Sequence, residues 1–181
     1  MKQIILIRHC QVEEHHKDSP LTHHGVNQAH RLAAYFKEKG IRVDRIVTSP
    51  FMPAIETIKP FANASNIPIE KDVRLEERIL SDEPIDDWLD VIETSVRDYD
   101  FSLSGGESSN EALRRGLESL NELWQDENHE IAAVVTHYNL FSLLVSHYAD
   151  QFEFNDWKML KTPDVFLIEQ QQNAYQVTHL W

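Results

Sequence analysis

The chain is short of the groups that would tie it covalently, anchor it in lipid or draw it to polyanions. It has one cysteine among 181 residues, which excludes an internal disulfide. No apolar run approaches the roughly 18 residues of a membrane span, so no membrane partner is expected. The opening stretch, MKQIILIRHC, lacks the long apolar core and small-residue cleavage site of a signal peptide, and a cytoplasmic location is the expectation. Positive charge is scarce as well. Seventeen basic residues face 30 acidic ones, for a net charge of −13. That balance argues against nucleic acid or an anionic membrane surface as a partner. It also repels phosphorylated small molecules at long range, so a site for one would need its own local cation. Repeats, low-complexity tracts and linkers are missing too.

What remains is ordinary globular composition, 41% hydrophobic and 26% charged. The length suits a single domain over residues 1–181. Residues 3–7, QIILI, form a continuous apolar run of the kind found in strands buried on both faces, and IAAVVT at 131–136 is another. RIVTS at 45–49 and IPI at 67–69 read as short strands, and VFLIEQ and YQVTHLW as a closing pair joined by QQNA at a sheet edge. Helical spacing covers residues 22–39, 51–65 and 84–99. Ser108 and Glu111 make a capping box that opens a helix to about Gln125, and FSLLVSHY continues as helix after the last buried strand. Strands alternating with helices predict a three-layer α/β/α sandwich around a mostly parallel sheet.

In such sheets ligands bind beyond the carboxyl ends of the strands. Two strands end alike, LIRH at His9 and VVTH at His137. Arg8, His9 and His137 should therefore converge at one crevice. A lone histidine among ten is usually structural or solvated; two at strand ends, one beside an arginine, point to function.

These residues and their surroundings resemble the histidine phosphatase superfamily, the phosphoglycerate mutase-like proteins, and within it the compact bacterial-type phosphatases. RHC at 8–10 resembles the R-H-G opening, SPLTHHG at 19–25 resembles S-P-L-T-x-x-G, and TSPFMPAIET at 48–57 resembles S-P-x-x-R-A-x-x-T. RLEER at 74–78 resembles the segment carrying the acid, and GGES at 105–108 and VTH at 135–137 complete the order. The resemblance implies a phosphoglycerate mutase-like fold and a phosphomonoester hydrolase acting on a small phosphorylated substrate without metal or cofactor. It implies His9 as nucleophile, Arg8 and His137 as phosphate-binding donors, and Glu77 as the proton donor. Glu76 is a second candidate for that carboxylate.

Two departures stand out. The second phosphate-binding arginine is replaced by Pro53, and Tyr138 stands where glycine is usual. The loss of a cation admits a second reading, a degenerate member that binds a phosphorylated ligand or partner with little or no turnover. His15, near where relatives carry a phosphate-contacting asparagine, is a candidate substitute donor, as are His16, Lys17 and Arg78. The short segment between Glu77 and GGES argues against mutase activity; a phosphohistidine-protein phosphatase is a further enzymatic reading. Plainer roles are expected elsewhere: Cys10 as a buried filler, His23–His24 as surface, the acidic stretch SDEPIDDWLD as a solvated helix start, and Glu107 as a partner near the capping box. No motif encodes the substrate's identity or the oligomeric state.

Overall fold

The computed structural model describes residues 2–172 and 174–181. Six strands form one sheet: β1 (Gln3–Arg8), β2 (Arg45–Thr48), β3 (Ile69–Lys71), β4 (Ile131–Thr136), β5 (Asp164–Gln170) and β6 (Tyr175–His179). Their order across the sheet is β3-β2-β4-β1-β5-β6. The β1–β4, β2–β4 and β2–β3 pairs are parallel, and β5 alone runs against the others. Asn173, inside the expected 171–174 connection of the last two strands, lies outside the described residues.

Alternation along β1 explains the fold's three layers. Ile4 and Leu6 face one core with Leu120, Leu140 and Leu144, while Ile5 and Ile7 face another with Leu32, Phe36 and Ile58. The first core is covered by helices α4 (Ser109–Gln125) and α5 (Tyr138–Tyr148), the second by α1 (His23–Glu38) and α2 (Met52–Ser65). A strand that meets helices on both sides has no solvent face, hence its unbroken apolar run. Two further helices, α3 (Trp88–Arg97) and α6 (Phe154–Met159), pack on α4 and α5, with Ile92 and Trp157 beside Ala112 and Leu143.

The local starts follow the sequence. Thr22 caps α1 by accepting from the Gly25 N–H at 2.8 Å. Gly25 itself is required by packing, because a Cβ there would sit 2.1 Å from the Gln11 carbonyl oxygen. The Ser108–Glu111 capping box forms in both directions, at 3.1 and 2.8 Å. Asp87 caps α3 within the acidic stretch.

Three boundaries differ from expectation. β3 starts at Ile69 rather than residue 67, as Pro68 just before it has no N–H to donate to the ladder. Helix α3 starts at Trp88, four residues later than the periodicity implies. Helix α5 starts earlier than FSLLVSHY, directly after His137, and α6 is a six-residue helix that the sequence does not announce.

Candidate active site

The carboxyl ends of β1 and β4 are neighbours, with Arg8 opposite Thr136. The chain leaves both strands there, and the His9 N–H still donates to the Thr136 carbonyl at 3.1 Å. The two rings that follow, His9 and His137, meet edge to face with centroids 5.1 Å apart. They stand in a cleft of about 770 Å³ that Arg8, His15, Pro53, Glu77 and Asn139 also line.

The His9 ring is fixed by one hydrogen bond. Its Nδ1 lies 2.7 Å from the Cys10 carbonyl oxygen. A carbonyl only accepts, so Nδ1 carries the proton and Nε2 keeps its lone pair. Burial lowers the ring's pKa to about 4; the Cys10 carbonyl opposes this, and the charges of Arg8 and His15 add to it. The result is a neutral imidazole with a free nitrogen. Cys10 is fully buried, its N–H donates to Thr57 Oγ1 at 2.8 Å, and burial pushes its thiol up to about 12. It is the inert filler expected.

Arg8 is held from two sides. Its Nη1 donates to the carbonyls of Lys161, at 3.1 Å, and Leu160, at 3.4 Å. Its guanidinium lies 4.7 Å from the centre of the Tyr138 ring, whose hydroxyl donates to the Trp157 carbonyl at 3.2 Å. Cation and aromatic face attract each other, so Tyr138 orients the guanidinium as well as narrowing the cleft. Arg8 Nε is buried with no partner. An unpaired N–H on a cation is costly to bury, and an anion in the cleft would satisfy it.

His137 Nε2 lies 2.8 Å from Ser49 Oγ, and the ring packs against Phe51 at 5.2 Å. Burial, then the neighbouring His9 and Arg115, hold its pKa well below the usual histidine range. A neutral ring has one N–H to give. If Ser49 donates its hydroxyl to Nε2, that N–H is on Nδ1.

Glu77 reaches the cleft through the Val73–Leu75 turn, which Thr136 ties to the sheet by donating its hydroxyl to the Leu75 carbonyl at 2.7 Å. The carboxylate sits on the N-terminus of α5, where it accepts from the N–H groups of Asn139 at 3.0 Å and Leu140 at 3.2 Å, and from Arg78 at 2.8 Å. Burial outweighs these donors and pushes its pKa up. This is the cap that α5 lacks locally, and it explains why the helix begins before its apolar run.

The structure thus brings Arg8, His9, Glu77 and His137 to one cleft. Of the two candidate carboxylates, Glu77 lines the cleft and Glu76 does not; the Glu76 backbone carbonyl accepts from Arg115 at 2.8 Å. Glu107 pairs with Arg115 at 2.7 Å. His15, His16 and Lys17 lie on the exposed loop at the cleft mouth. Arg78 is otherwise committed: Nε donates to the Glu107 carbonyl at 3.0 Å, and Nη1 to the hydroxyls of Ser95 at 2.9 Å and Ser109 at 3.1 Å. Pro53 is the second residue of α2 and supplies no cation where the resemblance implies an arginine; Pro50 precedes the helix. Asn139, whose side-chain Oδ1 is buried without a partner, was not flagged by the sequence, although it stands two residues from His137. Among the described residues no cluster of His, Cys, Asp and Glu could hold a metal ion. No helix among them is long and apolar enough to cross a membrane.

A family model described as histidine phosphatase superfamily (branch 1) matches residues 4–180. No curated protein sequence matches the chain. Solved structures with similar folds include YhfR of Bacillus stearothermophilus, at 23% identity and TM-score 0.80, covering 99% of this chain and 96% of that one. A putative alpha-ribazole-5'-P phosphatase of Escherichia coli K-12 is 18% identical with TM-score 0.78, covering 99% and 95%. A mycobacterial glucosyl-3-phosphoglycerate phosphatase is 18% identical with TM-score 0.75, covering 99% and 97%.

Proposed function

The chain belongs to the histidine phosphatase superfamily, and from that premise we propose that it hydrolyses a small phosphomonoester through a phosphohistidine at His9. The observation that carries this reading is the tautomer of His9. Its Nδ1–H is committed to the Cys10 carbonyl at 2.7 Å, which leaves Nε2 as a neutral nucleophile in the cleft. Nε2 forms a bond to phosphorus as the bond to the leaving oxygen breaks. The Arg8 Nε–H and the His137 N–H bind the phosphoryl oxygens as charge moves onto them. Glu77, its pKa raised by burial, gives its proton to the leaving oxygen. Water then donates a proton back to Glu77 and attacks phosphorus; the P–N bond breaks, releasing inorganic phosphate and regenerating His9. The similar alpha-ribazole-5'-P and glucosyl-3-phosphoglycerate phosphatases are in keeping with this class of reaction.

Pro53 favours a second reading, a binder of phosphorylated ligands with little turnover. One experiment separates them. Rapid quenching with a labelled phosphomonoester should trap an acid-labile, base-stable phosphoenzyme, and His9→Ala should trap none. Equal labelling of both proteins rules out His9. Saturable phosphate binding with no labelling at all selects the binding role.

A further inference from the structure

One wall of the cleft is built differently from the part formed by Arg8, His9 and His137. Residues 79–88 contribute Ile79, Leu80, Ile85 and Trp88, next to Tyr138. Ile79 is 56% exposed and Trp88 47% exposed. The Trp88 indole stands edge-on to the Tyr138 ring, with centroids 6.0 Å apart and planes 85° apart. Exposed side chains of this size leave unburied apolar area beside a polar floor, an arrangement common in sites that grip a ligand with apolar surface and orient it with a few polar groups.

Charge on this wall points the same way. Among its described residues the one guanidinium is Arg78, and it donates to Ser95, Ser109 and the Glu107 carbonyl. Glu83 lines the same wall. The exposed basic residues His15, His16 and Lys17 belong to the loop that follows β1, near His9, whose pKa feels His15. A leaving group with its own carboxylate or phosphate would find no free cation on the 79–88 wall, and would meet Glu83.

We propose that the group released from the phosphate is uncharged and apolar, with a ring or comparable flat surface, and that it seats against Ile79, Ile85, Trp88 and Tyr138. This rests on the phosphatase reading above and narrows it to esters of apolar alcohols rather than of phosphorylated acids or sugars bearing a second anion.

The test uses esters whose leaving alkoxides are of similar kind, so that apolar contact is separated from leaving-group reactivity: 2-phenylethyl phosphate, ethyl phosphate and 2-phosphoglycolate. The expected result is a kcat/KM for phenylethyl phosphate at least about tenfold above that for ethyl phosphate, since burying a benzene ring's apolar surface is commonly worth roughly ten- to a hundredfold. Phosphoglycolate should be the poorest of the three. Trp88→Ala should shrink the phenylethyl-to-ethyl ratio at least fivefold, a readout that a general loss of folding would not move. A ratio near one, or phosphoglycolate ahead of ethyl phosphate, overturns the proposal. If no ester is turned over, the phosphatase reading has failed rather than this one. Calorimetric titration with 2-phenylethylphosphonate and ethylphosphonate then decides it: at least tenfold tighter binding of the phenyl compound supports the apolar wall, and equal affinity refutes it.

Discussion

Pro53→Arg tests how much catalysis the missing cation withholds. Pro53 lines the same cleft as His9 and His137, at the second position of α2. The anchorage of this helix start does not depend on the ring. Phe51 N–H donates to Ser49 Oγ at 3.2 Å, and Thr57 Oγ1 donates to the residue-53 carbonyl at 2.8 Å, a backbone group that the variant keeps. The phosphoryl group presents three oxygens, whereas Arg8 has already spent Nη1 on two carbonyls. A second guanidinium would therefore meet an undersatisfied anion. One preorganised donor in such a site is commonly worth about 3–4 kcal/mol. Part of this is lost because a flexible side chain must be ordered and Phe51 must adjust, so we expect kcat/KM to rise at least about tenfold, or about 1.4 kcal/mol. Removing proline loosens the unfolded chain, and because Pro53 is buried the larger arginine must also be accommodated, so the variant should lose at least about 0.4–1 kcal/mol, roughly 1–4 °C in Tm for a chain of this length. The assays are steady-state hydrolysis of an aryl phosphate and a thermal melt, with His9→Ala as background, in which the gain must vanish. A folded variant that shows unchanged kcat/KM would refute the reasoning and mean that another residue already fills the role, with His15 and Lys17 of the cleft-mouth loop the first to test. A fall in activity would mean that the cleft is shaped around proline.

Two further outcomes are expected. Glu77→Gln should lower kcat/KM for alkyl phosphates by about a hundredfold or more, and far less for aryl phosphates, whose leaving groups need little protonation; equal losses would reassign the proton donor. The pH profile should be broad on the acid side. His9 must be neutral to attack and its pKa is lowered to about 4, so activity is present above that value and lost as pH falls through it, once the substrate's own ionisation is divided out. On the alkaline side, activity with alkyl phosphates should fall as pH rises through the raised pKa of Glu77. An acid limb centred near the ordinary histidine value of about 6.5 would contradict the burial of His9.

The runs QIILI and IAAVVT were legible because burial on both faces writes itself as unbroken hydrophobicity, and the strand-end histidines then followed from sheet geometry. Glu77 was legible only through its likeness to a family segment. Its anchorage on α5 joins residues 62 positions apart, and the missing local cap is why that helix start was misplaced. The carbonyl grip on Arg8 spans 152 positions and leaves no trace in local pattern. Arg78 looked like a free cation because a lone basic residue in sequence does not reveal the buried hydroxyls of Ser95 and Ser109. The apolar cleft wall was unreadable because Ile85 and Trp88, three residues apart, fit the helical spacing expected from residue 84, and Ile79 belongs to no period. Their meaning comes from what they face.

The side-by-side placement of β1 and β4 also governs how the site comes into being during folding. His9 and His137 become neighbours only when two strands pair whose connection is more than half the chain. Ser49 reaches His137 across 88 positions. Closing such loops costs entropy before any contact repays it, so these pairings form late and slowly compared with helical turns. Local helices alone bring neither His9 to His137 nor Ser49 to His137. The cleft therefore arrives with the completed sheet, and any ligand bound there should report on the native state as a whole rather than on any part of the chain.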